Sequence, residues 1–493
     1  MAATHIIAID QGTTGTTVLV VDRGGRICGR GYREVPLAYP AEAWVEQRPE
    51  DLWDSVVGAL GEALKSAQVG GDQVACLGIT NQRETCMVWD RASGRCLSPA
   101  VVWQCRRSAA ICDALRAARH EALFTQRTGL LLDPYFSGTK LRWLLENHGP
   151  VADAAAAGTA CFGTVETRLV HQLTGGREHL SDYSNASRTL MLDIQRLCWD
   201  EELLALLKVP VSMLPRLVPN AGLLARTSGL GFLPDGIPIS GLAGDQQAAL
   251  FGQGCHSPGD AKCTLGTGAF LLLNTGGTVP RSRHGLLGTV AWVLDGRPTY
   301  ALEGSAFVAG AAVQWLRDGL GVISRSSEVE TKAASVPDSG GLCFVPALTG
   351  LGAPHWRSDA RGSLWGITRA TTSAHLCRAV LEGITLQNRD MVKAMEEDLG
   401  RPIRVLKVDG GACANSLLMQ LHADLLGVTV ERPAELESTA LGAAYLAGLG
   451  AGVWASLEEL QEVRRVERLF APSPAGPHLE ELLLRWRRLV TLS

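Results

Sequence analysis

The sequence has no cysteine pair with the spacing of a metal or redox site. None of its 13 cysteines forms a CxxC pair, and the closest two are Cys105 and Cys112, which is not a zinc spacing. Most cysteines lie in apolar runs, as Cys76 and Cys263 do. We interpret them as reduced core residues and predict a cytoplasmic protein.

Long apolar runs and an excess of one charge are also missing. No uncharged apolar run reaches about 18 residues, so no membrane span is expected. Residues 1–5 lack the basic and apolar regions of a signal peptide. The formal net charge of −4 gives no reason to expect a nucleic-acid partner. With 46% hydrophobic and 19% charged residues, the composition is that of a folded globular protein.

The chain is long: 493 residues are too many for one hydrophobic core, which indicates two or three domains. Apolar strand patterns alternate with helical patterns, which predicts an α/β protein. In the first half we predict a helix over 50–67, strands over 74–80, 87–90 and 100–103, and an alanine-rich helical connection over 153–161. In the second half we predict helices over 306–316, 373–395, 416–426 and 439–449, and strands over 342–346, 405–409 and 428–431.

The stretch 237–247 lies near the middle of the chain and ends in one carboxylate followed by two amides. Its apolar run predicts a buried strand that leads through a tight loop into a helix over 246–251. Loops at strand ends carry much of the chemistry of α/β proteins. We therefore predict that Asp245 is a catalytic base in a cleft between two halves; the alternative is an Asp that caps a helix.

Two hairpins share one layout about half the chain apart. The first has strands at 6–10 and 18–22 around a glycine–threonine turn at 11–16, and the second, over 261–277, repeats strand, Gly-Thr-Gly tip and strand. Such tips offer N–H groups and hydroxyls to phosphate, and Asp10 could hold Mg²⁺ through water. The alternative is two ordinary hairpin turns. The repeat predicts two similar domains that clamp a triphosphate between them.

The C-terminal pattern over 478–490 is amphipathic and basic. It predicts a terminal helix docked on the protein, with contact to a membrane surface as the alternative.

Several motifs resemble those of the FGGY carbohydrate kinases, and the resemblance covers nearly the whole chain. The segments 78–85 and 102–107 are typical of the members that act on glycerol. The motifs are DQGTT at 10–14, GITNQRET at 78–85, VWQCRR at 102–107, YFSGTK at 135–140 with Trp143, SNASRT at 184–189, GDQQAALFG at 244–252, and GSLWGI at 362–367 with His375 and Glu382.

The resemblance implies two duplicated ribonuclease-H-like domains of the actin, hexokinase and Hsp70 type, flanking a nucleotide cleft. The expected domains are 1–252, with the polyol site and the first phosphate hairpin, and 253–493, with the second hairpin and the adenosine site. The implied reaction transfers the γ-phosphoryl group of ATP, with Mg²⁺, to a terminal hydroxyl of glycerol. A homo-oligomer, either a dimer or a tetramer, is also implied.

The resemblance assigns each site residue by motif. Asp245 falls on the catalytic base and, with Asp10, on the metal site. The polyol hydrogen-bonding positions are Arg83, Glu84, Tyr135, Asp245 and Gln246, and the apolar walls are Trp103 and Phe270. The nucleotide contacts are Thr13, Thr14, Thr267, Gly310, Gln314, Gly411 and Asn415. Taken without the resemblance, Arg83 and Glu84 could form a surface pair, and both reach one ligand only from a loop, because neighbouring strand residues point to opposite faces.

Three features depart from the family pattern. Thr17 stands where members usually have arginine, so a cation expected beside the phosphates is missing. Arg168 stands where tryptophan is frequent. The stretch 228–236 lacks the cation of the loop that binds fructose 1,6-bisphosphate in some members, so no inhibition by that route is expected. Between the halves, Gly252, Gly254 and Gly259 are either hinge residues or plain turn glycines.

Two other functions remain open from the sequence. A family member could act on a pentulose or a tetritol instead of glycerol, although the segments at 83–84 and 103 argue against it. A non-catalytic nucleotide switch or filament protein on the actin-like fold is the second alternative, and the retained Asp245 argues against that.

Overall fold

The computed structural model describes residues 4–474 and 478–493. The strands of the first half are β1 His5–Gln11, β2 Gly15–Val21, β3 Ile27–Glu34, β4 Glu46–Gln47, β5 Val74–Asn81, β6 Cys86–Asp90, β7 Ala100–Val101, β8 Ala160–Thr164, β9 Leu180–Asp182, β10 Leu192–Asp193, β11 Cys198–Trp199, β12 Arg216–Val218, β13 Ala221–Arg226 and β14 Pro238–Gly244. Its helices are α1 Pro49–Ala67, α2 Ala109–Ala117, α3 Glu121–Thr128, α4 Ser137–Asn147, α5 Gly149–Ala156, α6 Val165–Leu173, α7 Tyr183–Ala186, α8 Glu201–Leu207 and α9 Asp245–Gly252.

The second half follows the same alternation. Its strands are β15 Ala261–Leu265, β16 Ala269–Gly276, β17 Leu287–Leu294, β18 Arg297–Ala306, β19 Cys343–Val345, β20 Ser363–Trp365, β21 Val405–Asp409, β22 Thr429–Pro433 and β23 Val466–Phe470. Its helices are α10 Gly310–Gln314, α11 Glu328–Ala334, α12 Ser373–Leu399, α13 Ser416–Leu426, α14 Ser438–Gly450, α15 Leu457–Val463 and α16 His478–Leu492. A π-helical turn, Trp315–Gly319, follows α10.

The two large sheets have the same topology. The first has the order β13-β14-β5-β1-β2-β3, and the second β17-β18-β16-β15-β21-β22-β23. In each, an antiparallel hairpin, β1–β2 or β15–β16, lies beside two parallel strands. An antiparallel edge strand, β13 or β23, completes both. Six strands of one sheet therefore match six of the other, which confirms the predicted α/β fold with two duplicated units.

Strands β1 and β2 read as continuous apolar runs because both faces of the first sheet are covered. Ile6, Ile7 and Ile9 are fully buried, as expected for a sheet between helical layers. Helix α1 packs on β2 and β3, whereas α14, from the second half, packs on β1, β5 and β14.

Helix α14 approaches the first sheet at backbone distance. A Cβ added at Gly78 would lie 2.1 Å from the carbonyl oxygen of Ala443, and one at Gly241 would lie 2.4 Å from the amide nitrogen of Ala447. Glycine is required at both strand positions because the helix backbone occupies the space a side chain would need.

Three sequence predictions of local structure were wrong. Strand β18 runs to Ala306, which pairs with Ala269, so the helix predicted over 306–316 begins only at Gly310. Sheet pairing overrides the helix propensity of alanine there. The strand predicted over 100–103 ends at Val101, leaving Trp103 in a turn, and the predicted connection 153–161 is the end of α5 followed by the start of β8.

The C-terminal helix α16 is docked. Trp486 is buried and donates its Nε1 hydrogen to Asp390 Oδ2 at 2.8 Å. Within the two described segments of the chain, no helix has the length and apolar character to cross a bilayer.

Candidate active site

Three parallel strands of the first sheet end at one edge and place Asp10, Asn81 and Gly244 there. Asp245 follows at once as the first residue of α9. Its side chain is 28% exposed and its Oδ1 lies 3.0 Å from Arg83 Nε. The same oxygen accepts a 2.7 Å hydrogen bond from the backbone N–H of Gln246. The helix cap itself is Gly244, so Asp245 is not a capping residue.

The negative charge of the Asp245 carboxylate is partly compensated by Arg83. Burial raises the pKa of its carboxyl group, and the positive charge of Arg83 opposes that rise. The net direction is upward, which is the direction that suits a proton acceptor near neutral pH.

Asp10 lies at the end of β1, near two other carboxylates. Burial raises its pKa well above the usual value, and the charges of Asp245 and Glu437 raise it further. Among residues 4–474 and 478–493, no three His, Cys, Asp or Glu side chains converge as a complete metal-ligand set. Mg²⁺ is commonly held by one or two carboxylates together with phosphate oxygens and water, so this grouping of acids fits it.

Arg83 and Glu84 lie in the loop directly after β5, which lets both side chains reach the cleft. Glu84 has a left-handed backbone, with φ 60°, and its Oε1 accepts a hydrogen bond from Arg188 Nε at 2.6 Å. Arg83 donates from Nη1 and Nη2 to Glu303 at 2.5 and 2.9 Å. All four side chains are buried. Burial raises the pKa of Glu84, while Arg83 and Arg188 oppose the rise.

An aromatic wall stands beside these charges. The Trp103 ring meets Tyr135 and Phe270 edge to face, with centroids 5.6 and 6.5 Å apart. Trp103 also donates its Nε1 hydrogen to Thr13 Oγ1 at 2.8 Å, which joins the wall to the tip of the first hairpin. Burial raises the pKa of Tyr135, so its hydroxyl stays protonated and can donate a hydrogen bond.

Gln246 is oriented by a buried cation. Its Oε1 accepts a hydrogen bond from Lys262 Nζ, which also donates to Thr264 Oγ1 at 2.7 Å. Lys262 and Thr264 lie on β15, so this contact ties the start of α9 to the second sheet.

The residues predicted to contact the nucleotide lie at the two hairpin tips, on α10 and after β21. Thr13 and Thr14 form the first tip, and Thr267 forms the second, where the backbone N–H of Gly310 bonds the carbonyl of Gly266 at 2.9 Å. Gln314 ends α10 and is exposed.

Two more of them follow β21. Gly411 is exposed, and Asn415 caps α13, because its Oδ1 accepts the N–H of Leu418 at 2.8 Å. The cap occupies the carbonyl oxygen of the Asn415 side chain, so a nucleotide contact from this residue would use its amide nitrogen.

Three charged residues of the site received no role from the sequence. They are Arg188, Lys262 and Glu303. Lys262 and Glu303 are charges in the buried parts of their strands, and a charge in a buried strand segment is a usable signal because it requires a partner. Arg188 lies in the 184–189 motif, but nothing in the sequence revealed its partners.

The residues that depart from the expected family pattern, and the glycines between the halves, can also be placed in the structure. Thr17 lies opposite Asp10 in the β1–β2 register. Arg168 places its guanidinium 5.3 Å from the ring centroid of Trp89, a cation–π contact that accounts for it. Gly254 and Gly259 have positive φ values of 64° and 94°, which accounts for glycine there as turn residues.

A duplicated α/β architecture with a carboxylate at its seam and two glycine–threonine hairpin tips is consistent with domains of the actin and hexokinase type. Sequence comparison then gives the family. The model of the FGGY family of carbohydrate kinases, N-terminal domain, matches residues 5–252, and that of the C-terminal domain matches 261–451. The chain belongs to the FGGY family of carbohydrate kinases.

Curated relatives span the full chain. A glycerol kinase of Myxococcus xanthus is 52% identical over 490 residues, covering 99% of both chains. One of Carboxydothermus hydrogenoformans is 50% identical, covering 100% of this chain and 98% of the relative.

Two solved structures are similar to this chain over nearly its whole length. Plasmodium falciparum glycerol kinase with ADP has a TM-score of 0.92 and 34% identity, covering 100% of this chain and 98% of that one. A xylulose kinase of Lactobacillus acidophilus, at 21% identity and a TM-score of 0.86 over 99% and 97% of the chains, shares the fold.

Proposed function

We propose that this chain is a glycerol kinase that transfers the γ-phosphoryl group of ATP to a terminal hydroxyl of glycerol. The products are sn-glycerol 3-phosphate and ADP, and the reaction is the first step of glycerol catabolism. The main support is the placement of Asp245, 3.0 Å from Arg83 Nε at the seam of the two sheets. The relatives that match the whole chain carry the same name.

Asp245 acts as the general base. It accepts the proton of the attacking hydroxyl, and its raised pKa favours that transfer. Arg83 Nε orients the carboxylate. Phosphoryl transfer depends mainly on positioning and charge neutralisation. One general base, held in place by Arg83, is therefore sufficient to activate the attacking hydroxyl.

The polyol is held by complementary polar groups and an aromatic wall. Arg83 and Tyr135 donate, Glu84 and Asp245 accept, and Gln246 adds an amide. Trp103 and Phe270 cover the C–H edges of the short carbon chain. A site built to bond hydroxyls discriminates strongly against analogues that lack them, because its buried polar groups then stay unpaired.

The nucleotide is assigned to the two hairpin tips and the loop after β21. Thr13, Thr14 and Thr267 offer hydroxyls and N–H groups to phosphates. Gly310, Gln314, Gly411 and Asn415 complete the proposed contacts. Mg²⁺, held by Asp10 and Asp245, would neutralise charge on the transferring phosphate.

The proposed division of the chain is 1–252 and 253–493. Closure of the two units would exclude water as a competing acceptor. A cytoplasmic location and a homo-oligomeric state, dimer or tetramer, are part of the same proposal and rest on the resemblance to the family.

A coupled assay of ATP consumption tests the proposal. We expect ADP release to depend on glycerol, and Asp245→Asn to lower kcat by about 10²–10⁴-fold with the KM for glycerol changed only a few-fold. Asp295→Asn, the same substitution in an exposed turn, serves as the matched control and should leave kcat unchanged.

Two results would reject the proposal. One is an Asp245→Asn variant whose kcat stays within about tenfold of the unmodified enzyme, short of the ~10²-fold minimum expected of a general base. The other is a higher kcat/KM for erythritol, xylulose or ribulose than for glycerol. Nucleotide binding with no glycerol-dependent ADP release would instead favour a nucleotide switch.

A further inference from the structure

Glu303 is a single carboxylate in the buried strand β18, where its neighbours Leu302 and Gly304 carry no charge. Its two oxygens accept four hydrogen bonds. Three come from guanidinium nitrogens, at 2.5, 2.9 and 2.9 Å, and one from Ser305 Oγ at 3.3 Å. Such complete satisfaction is what a buried carboxylate requires.

The guanidinium partners of Glu303 belong to the other half of the molecule. Arg83 follows β5 and Arg188 follows α7, both built around the first sheet, whereas β18 is part of the second sheet. The Glu303 carboxylate therefore bridges the seam at the floor of the polyol site, and it is the group through which the second sheet holds both arginines.

Arg83 makes its closest contacts with two anions. Nη1 and Nη2 face Glu303 in a bidentate pair, and Nε faces Asp245 Oδ1 at 3.0 Å. Nη1 also donates to Gln247 Oε1 at 3.2 Å, and Nε lies 3.9 Å from Glu84 Oε1. A bidentate pair fixes the plane of the guanidinium as well as its position, so Glu303 also fixes where Nε meets Asp245.

Charge balance gives the same result. Burial alone would raise the pKa of Glu303, but Arg188 and Arg83 override it and lower the pKa to about 2, so Glu303 stays ionised. Without this anion, Arg83 would be left with Glu84 and Asp245 as its carboxylate partners. The bidentate contact on its Nη1 and Nη2 edge would be lost, and with it the fixed plane that places Nε beside Asp245.

We propose that Glu303 is a positioning residue for the reaction: from the second half of the chain it fixes the guanidinium plane of Arg83, so that Arg83 Nε holds the Asp245 carboxylate in place. The proposal rests on the proposed glycerol kinase function. It assigns Glu303 no contact with substrate, since its oxygens are occupied by protein donors.

Glu303→Gln is the primary test, with Glu382→Gln as the matched control. Glu382 is also a buried glutamate paired with an arginine, Arg378, at 2.8 Å, but it lies on α12, outside the group of side chains around Asp245. We expect Glu303→Gln to lower kcat for glycerol on the order of 10–100-fold, and Glu382→Gln to leave kcat unchanged.

A split between kcat and KM separates positioning from a general structural effect. If Glu303 acts through Arg83 on the reacting carboxylate, Glu303→Gln should lower kcat while the KM for ATP stays within a few-fold. Glu303→Asp keeps the charge and both acceptor oxygens, and it should recover part of the lost kcat.

Each outcome decides the matter. A Glu303→Gln variant that keeps the kcat of the unmodified enzyme, or that differs from it only by a lower Tm, overturns the proposal, as does a Glu303→Asp variant no more active than Glu303→Gln. Failure of both Glu303 variants to fold also counts against it, because the residue would then serve folding alone. Absence of glycerol phosphorylation in the unmodified enzyme and in Glu382→Gln would instead refute the proposed function.

Discussion

Position 17 carries threonine where the resemblance to the family leads us to expect arginine. Thr17 lies opposite Asp10 in the β1–β2 register, and side chains of directly opposed residues share one face of a sheet. A longer side chain at this position would therefore point toward the same cleft as Asp10. The threonine leaves that face without a guanidinium for the phosphates.

We expect Thr17→Arg to raise kcat/KM for ATP about tenfold, since a charge-assisted hydrogen bond to phosphate would contribute about 1.4 kcal/mol. Thr17→Gln, which adds length and polarity without charge, is the control. Steady-state kinetics with varied ATP would check this, and equal values for the two variants would show that the missing arginine has no consequence.

The sequence could propose roles for Asp245 and the polyol residues because they lie in contiguous motifs, and those roles stay predictions. It could not pair Glu303 with Arg83, since 220 residues separate them and only the mutual placement of the two sheets brings them together. The same limit applies to Lys262, whose contact with Gln246 depends on α9 meeting β15.

Among the elements, α14 has the clearest structural role. Its bounds were predicted within one residue at each end, because a run rich in alanine and leucine favours a helix. Its docking could not be predicted, since a helix that is apolar all round carries no stripe to mark the contact face. The helix predicted from 306 failed for the opposite reason, because the ladder between β16 and β18 extends over its start.

A substitution at Gly442 tests how closely α14 packs on α9. A Cβ there would lie 1.8 Å from the carbonyl oxygen of Ala248 in α9, so we expect Gly442→Ala to lower the free energy of unfolding by about 1–3 kcal/mol. Gly61→Ala in α1, where no atom lies within 4 Å of the added Cβ, should raise it by about 0.5–1 kcal/mol. Denaturant unfolding curves would measure both. A shift of the same sign in the two variants would contradict the close approach.

At the scale of the whole molecule, the duplicated architecture was predictable because the hairpin repeat recurs at half the chain length. The shared architecture does not determine how a family member is regulated. We expect the loop 228–236 to make regulation by fructose 1,6-bisphosphate differ from that of the family members that bind it. There the N–H of Gly229 bonds Asp235 Oδ1 at 2.7 Å, and Arg226 Nη1 donates to the carbonyl of Gly236 at 2.7 Å. The loop itself carries one acid and no cation.

Fructose 1,6-bisphosphate at millimolar concentration should therefore leave the glycerol-dependent rate unchanged, because the loop offers no cation to its phosphates. The coupled assay would be run with inorganic phosphate at equal ionic strength as the control. Clear inhibition by the bisphosphate alone would mean that it binds elsewhere on the protein.

The contact of α14 with the first sheet has a consequence for the history of the chain. A polypeptide cut near residue 252 would lack the helix that fills the grooves at Gly78 and Gly241, and Arg83 and Arg188 would lose the carboxylate they share, that of Glu303. The first unit is therefore not self-sufficient, and a change on one side of this contact constrains what the other side can tolerate.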